Sequence, residues 1–182
     1  MANTCRTEIY IEGSKEAIDN FVERFEHCHD GAYPNQEENP HIADEFGADA
    51  ELFIDKVGSK WIQIWDEGYY RSSDNRCEIY LDTAWYPPSD MILEIYRQMA
   101  KIDDEIKVSG KYWDEGYQPI GVFEVYYGQI IEEQDHDLDE SEWDEEIEAE
   151  GEQEYDRNFW EEVVDPSFTV LQERLDKVMK EI

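Results

Sequence analysis

The order of periodic segments in this 182-residue chain predicts an α+β fold, a split β-α-β arrangement in which one antiparallel sheet carries two helices on a single face. Three observations lead there. Apolar residues recur with a period of two or of about 3.6, in the order strand, helix, strand, strand, helix, strand. Each helical segment has one apolar stripe, and so one face to bury. The first strand alternates apolar and polar residues, as a half-buried strand does.

Element by element, Cys5, Thr7, Ile9 and Ile11 alternate with Arg6, Glu8, Tyr10 and Glu12, giving a strand that ends at Gly13. Ser14 is placed to cap a helix whose Ile18, Phe21, Val22 and Phe25 share one face. Residues 27–50 contain turn residues and two prolines but no clear period, which predicts mostly loop with a helical turn near 42–46. Strands are predicted at 52–57 and 60–65, with Gly58-Ser59 as a tight turn between them, and again at 77–84. After Pro87-Pro88, Ser89 caps a second helix that buries Ile92, Ile95, Tyr96 and Met99, and 105–112 and 120–127 read as further strands. This is the order of a ferredoxin-like fold with one or two strands added, occupying residues 1–130. Residues 131–182 follow as an acidic segment and a C-terminal helix, on which Phe168, Leu171, Leu175, Val178 and Ile182 form an apolar seam beyond Pro166. The seam is short for an independent coiled coil, so packing onto the domain is preferred to dimerisation, and the oligomeric state stays open.

Several strings resemble, in order, the YubB ferredoxin-like domain of phage and plasmid proteins: "NTCRTEIYIEGS" at 3–14, "GSKW" at 58–61, "TAWYPP" at 83–88 and "EGYQPIG" at 115–121. TAWYPP is the most specific of them. The resemblance covers residues 1–130 and implies a ferredoxin-like fold and an origin in a mobile element. It implies no catalytic residues.

The formal net charge of −33 lies far beyond the magnitude of roughly 2 to 8 that keeps a small domain soluble. Such a field disfavours nucleic acid or an anionic membrane as a direct partner and speeds encounter with a basic surface. The odd, unclustered set Cys5, Cys28 and Cys77 fits reduced thiols. With neither a signal-like start nor an apolar run of membrane-spanning length, the expectation is a cytoplasmic protein in a bacterial host cell.

The pentapeptide WDEGY occurs at 65–69 and at 113–117, each time where a strand is expected to end, and its flanks do not align. It reads as one turn recipe used twice. Its pairs Asp66-Glu67 and Asp114-Glu115 resemble the two carboxylates of a glycosidase, but acids before glycine at a strand end are ordinarily solvated, whereas general acid catalysis needs a desolvated carboxyl. Trp113 and Tyr117 are accordingly expected to pack as sheet and turn residues. His27, Cys28, His29 and His41 lack the spacing of a zinc site. Asp135, Asp137, Asp139 and Glu146 occupy calcium-loop positions, but Glu140 stands where that loop needs glycine. No metal, cofactor or catalytic residue is therefore assigned.

The strongest signal is the acidic segment. Residues 131–156 hold 15 acids and no Lys or Arg, which leaves a net charge of −18 on the rest of the chain. Trp143, Ile147, Tyr155, Phe159 and Trp160 interrupt the charges at spacings that can anchor a helix. If 132–156 were helical, one charge would fall about every 2.5 Å, comparable with the roughly 1.7 Å of duplex DNA. The predicted function is a non-enzymatic nucleic-acid mimic that blocks the basic nucleic-acid-binding surface of a defence nuclease, a CRISPR effector or a restriction enzyme. Glu132, Glu133, Asp135, Asp137, Asp139, Glu140, Glu142, Asp144, Glu145, Glu146 and Glu148, with the aromatics Tyr69, Tyr70, Trp85 and Tyr86, are the predicted contact residues. The alternative is a general interaction module that sequesters a basic protein through its acidic segment.

Overall fold

A computed structural model describes residues 3–29, 40–115, 119–135 and 159–182. The elements are β1 (Thr4–Glu12), α1 (Lys15–His29), α2 (Pro40–Phe46), α3 (Phe53–Val57), β2 (Ile62–Ser73), β3 (Arg76–Ala84), α4 (Ser89–Met99), β4 (Lys107–Asp114), β5 (Ile120–Tyr126) and β6 (Gln129–Asp135). A π-helical turn, Trp160–Val164, then leads into α5 (Asp165–Glu181). The strands form one sheet in the order β2-β3-β1-β4-β5-β6, each antiparallel to its neighbours. The four strands β2-β3-β1-β4, crossed by α1 and α4, are the ferredoxin-like arrangement, and β5 and β6 extend it as a meander.

Alternation in β1 sends Cys5, Thr7, Ile9 and Ile11 to one face, where the register sets Ile9 between Ile79 of β3 and Gly110 of β4. Ile18, Phe21 and Phe25 of α1 and Ile92, Ile95 and Met99 of α4 pack into that same core, so both helices lie on one face as their single stripes require. Phe46 of α2 joins them, its ring 5.2 Å from Phe21. Ser14 caps α1 through its hydroxyl, which accepts from the Ala17 N–H at 3.3 Å.

A second core lies on the opposite face of β4 and β5, where Trp113, Ile120 and Val122 meet Phe159, Val164, Phe168, Leu171 and Leu175. Here α5 covers half of the sheet. Its seam is buried through Leu175 and emerges at Val178 and Ile182. Trp113 packs edge-on against Trp160 at 5.0 Å and Phe168 at 6.1 Å. The Lys111 ammonium sits 5.2 to 5.9 Å from the centroids of all three rings and 3.4 Å from Glu8.

Three expectations are corrected. Residues 52–57 contain a short helix instead of a strand: Leu52 is 62 % and Ile54 47 % exposed, so the alternation buries nothing but Val57. Gly58, at φ 80°, ends that helix by donating its N–H to Ile54 O at 2.8 Å, and does not turn a hairpin. The first WDEGY lies inside β2, not at its end. Between the pairs Ile64↔Leu81 and Tyr69↔Ile79 β2 carries extra residues, a bulge that Gly68 takes at φ 64°. Finally, the sheet does not stop at residue 130. Tyr127 and Gly128, both at positive φ, turn β5 into β6, so Glu132, Glu133 and Asp135 stand on an edge strand and cannot begin a helical rod.

Among the described residues no helix is long and apolar enough to cross a membrane. The three cysteines are buried thiols outside any disulfide, and burial pushes each up to about 12. The thiol of Cys28 faces the carbonyl oxygens of Arg24 and His41.

Candidate partner-binding corner

The segment TAWYPP turns the chain from β3 into α4, and its backbone is held by buried hydroxyls. The Thr83 hydroxyl, fully buried, lies 2.8 Å from Tyr86 O and 3.2 Å from Cys5 O. Ser59, also buried, accepts the Ala84 N–H at 3.0 Å and donates to Trp61 O at 3.0 Å. The Trp85 N–H donates to Asn3 O at 3.0 Å. Between these ties Trp85 adopts φ 65°, a left-handed conformation that costs a bulky residue about 1–3 kcal/mol and persists only where its surroundings enforce it. The result is that Trp85 and Tyr86 stand 49 % and 59 % exposed, followed by two prolines that stiffen the exit.

Beside this corner, β4 and β5 pair two glycines with two aromatics. Tyr112 lies opposite Gly121 and Phe123 opposite Gly110. A methyl group on Gly121 would stand 2.4 Å from Tyr112 Cζ, and one on Gly110 2.5 Å from Phe123 Cζ, so glycine is required for the rings to lie flat on the sheet. The Tyr112 hydroxyl then reaches Gln134 Oε1 at 3.2 Å and Glu132 Oε2 at 3.4 Å on β6. Burial, reinforced by Glu132 and by Tyr86 close by, raises the phenol well above its ordinary range. A cleft of about 160 Å³ opens here, lined by Pro87, Ser89, Ile92, Phe123, Ile130 and Glu132.

Of the predicted contact residues, the structure brings Tyr86 and Glu132 to the same phenol, Tyr112, while Trp85 is exposed next to Tyr86 in the chain. Alternation along β6 turns Glu133 and Asp135 to the opposite face. Tyr69 and Tyr70 part in the same way. Tyr69 packs on Phe25 at 6.3 Å and donates to Glu26, which raises its phenol to about 12, whereas Tyr70 is exposed on the outer face. Asp137, Asp139, Glu140, Glu142, Asp144, Glu145, Glu146 and Glu148 lie outside the described residues, as do Tyr117, Trp143, Ile147 and Tyr155. Of the paired carboxylates, Asp114 is buried at 7 % exposure, contrary to the solvated turn expected, while Glu115 is exposed and its N–H donates to Thr4 O at 3.0 Å. Trp113 packs as a sheet residue. Among the described residues no group of three or more metal-ligating side chains is placed to hold an ion.

Sequence reasoning missed Phe123 in the lining of a cleft and Tyr112 as the buried phenol that meets Glu132 beside it. Glycines inside two strand patterns were the available signal. It also missed an outer-face groove lined by Arg6, Gln63, Trp65, Tyr70, Tyr80 and Asp82. There Trp65 stacks on Tyr80 at 5.7 Å. Burial raises the Asp82 carboxyl against the pull of the Trp65 indole and the Arg6 guanidinium. Arg6 Nε stands 3.9 Å from Asp82 Oδ1, and neither that oxygen nor Trp65 Nε1 makes a well-formed hydrogen bond.

The family described as "Ferredoxin-like domain in Api92-like protein" matches residues 64–167, more than half of the chain. The match begins in β2 and ends in α5, so it takes in the corner, the cleft and the acidic segment. It shares the ferredoxin-like fold with the resemblance carried by TAWYPP and EGYQPIG, and extends beyond residue 130 where that resemblance stops. Neither a curated protein nor a solved structure matches the chain.

Proposed function

This chain belongs to the family of ferredoxin-like domains in Api92-like protein, and from that premise we propose that it is a non-enzymatic, acidic inhibitor of phage or mobile-element origin. It would occupy the basic nucleic-acid-binding surface of a bacterial defence nuclease, a CRISPR effector or a restriction enzyme, in place of the nucleic acid. One observation carries the reading: 15 acids fall within residues 131–156 with no Lys or Arg among them, and the first three stand on the edge of a folded sheet. Between helical and extended limits of about 1.5 and 3.3 Å per residue, that array presents one charge every 2.5 to 6 Å or so, a range that includes the roughly 3.4 Å of a single DNA strand. Elsewhere eight of the fifteen cations, Arg6, Lys15, Arg24, Lys56, Arg71, Arg76, Arg97 and Lys111, each lie within 4.0 Å of a carboxylate of this chain.

The test is competition. Fluorescence anisotropy of labelled duplex bound to purified restriction enzymes and CRISPR effectors should fall when the protein is added, less so as salt rises. A complex in which nuclease, duplex and this protein coexist at full occupancy would remove the mimic mechanism.

The outward-held Trp85 and Tyr86 favour a second reading, a general interaction module that sequesters a basic protein through its acidic segment with the ferredoxin-like body as platform, in which case no nucleic acid is displaced.

A further inference from the structure

We propose, resting on the reading of a basic partner, that the cleft between the TAWYPP corner and β6 receives one long cationic side chain, an arginine or a lysine, projecting from the partner's surface. The cleft has the chemistry of a sleeve closed by an anion. Pro87, Ile92, Phe123 and Ile130 supply apolar walls, against which the methylene stem of Lys or Arg packs while its head stays near polar groups. Glu132 lies at the polar end and is exposed. At about 30 Å³ per water, 160 Å³ holds roughly five waters, which suits the roughly five to seven non-hydrogen atoms of these side chains.

Two further features choose a cation over a neutral occupant. Glu8, Glu12, Glu45 and Glu78 each face an Arg or Lys of this chain, whereas Glu132 takes part in none of the described ion pairs. Its partner in the fold is a phenol, Tyr112, held in place by the flat packing on Gly121, so one carboxylate oxygen is oriented and the group keeps unused acceptor capacity. Tyr86, exposed and close to the same phenol, offers an aromatic face beside the cleft for the guanidinium or ammonium. The acidic segment would then bring the partner in over long range, while the cleft fixes the register of docking by one side chain.

The test uses n-butylguanidinium and n-butylammonium as probes and 1-pentanol as the neutral counterpart, titrated into the full-length protein while Tyr112, Phe123 and Ile130 are followed by NMR. Saturable shifts confined to the cleft are expected for the cations, with affinity reduced about five-fold by Glu132→Gln and at least as much for 1-pentanol. Ser89→Trp, at an exposed position on the rim, should block the cations without altering the rest of the spectrum. Equal binding of pentanol and the cations, or cation shifts spread over the acidic surface and unchanged in Glu132→Gln, would overturn the assignment. Inhibition is read separately: failure to displace duplex from a nuclease, with the cleft still taking n-butylguanidinium, would refute the mimic and leave the cleft standing.

Discussion

The middle of the sheet and its β6 edge treat charge in opposite ways. On the outer face of β1 and β3, acids and bases alternate and pair: Arg76 lies 2.9 Å from Glu12 and 3.1 Å from Glu78, and Lys111 3.4 Å from Glu8. Tyr10 and Tyr80 donate to Glu8 and Glu78 at 2.6 and 3.0 Å, and the Arg76 guanidinium lies 5.1 Å from the Tyr10 ring. At the far edge, β6 carries Glu132, Glu133 and Asp135 with no cation in its own sequence, and the chain continues into twelve more acids before Arg157. The chain can neutralise acids where its own packing benefits. A run of acids without interspersed Lys or Arg is therefore a feature of the sequence 131–156, over and above the net charge of −18 on the rest of the chain, and such a run suits a surface directed at a basic molecule.

The largest expected effect lies on the acidic side. Converting Asp139, Glu140, Glu142, Asp144, Glu145 and Glu146 together to amides should weaken partner binding roughly a hundred-fold at low salt, with Glu145→Gln alone changing it less than about two-fold, because exposed charges act weakly one by one and strongly in sum. Isothermal titration at two ionic strengths measures both. Trp85→Ala comes next, with an expected loss of roughly ten-fold that persists at high salt, since an exposed aromatic anchor contributes by desolvation and not by long-range attraction. If that loss vanishes with salt, the corner acts only through its neighbouring charges.

On the balanced side the effects are on stability. Lys111→Met removes a cation from three aromatic faces and from Glu8, and should lower stability by about 1 kcal/mol, or about 2–4 °C in Tm, with partner affinity unchanged. Smallest is Asp82→Asn. Burial raises the Asp82 carboxyl in the folded state, so protonation favours the folded chain over the unfolded one, and that stabilisation is lost as pH rises through the folded-state carboxyl's range. The amide should therefore melt slightly higher than the parent at neutral pH, and the difference should disappear in acid below the unfolded carboxylate pKa. A parent that is the more stable of the two at neutral pH would mean that Arg6 and Trp65 outweigh burial.

What could be read from the sequence divides along the same line. Strand alternation in Cys5 to Ile11 and the stripes of α1 and α4 report on one buried face each, and local periodicity sufficed to place all three in one core. The second core was legible in part. The three- and four-residue steps of Phe168, Leu171 and Leu175 marked a seam to pack on the domain, as it does, but its meeting with Lys111 and Trp113 of β4 depends on where the chain returns after residue 135, which no local period encodes. Residues 52–57 misled because alternation was present without burial; Ile54 is exposed in a helix whose end is set by Gly58. The edge strand β6 was hidden by its own acids, which read as a solvated segment although backbone pairing to β5 does not depend on them. Of the candidate site, TAWYPP was visible as an aromatic, proline-bounded string, but the adjacency of Glu132 to Tyr86 arises from the β4-β5-β6 meander and the two glycine–aromatic pairs.

The central claim, that this chain takes the place of nucleic acid on a basic surface, is tested most directly by following labelled duplex on a target nuclease as the protein is titrated in, with the six-fold neutralised variant in parallel. The account predicts complete displacement by the parent at low salt, a concentration requirement that rises with ionic strength, and little displacement by the variant. Equal displacement by a correctly folded variant, or a stable ternary complex of nuclease, duplex and parent, would contradict it.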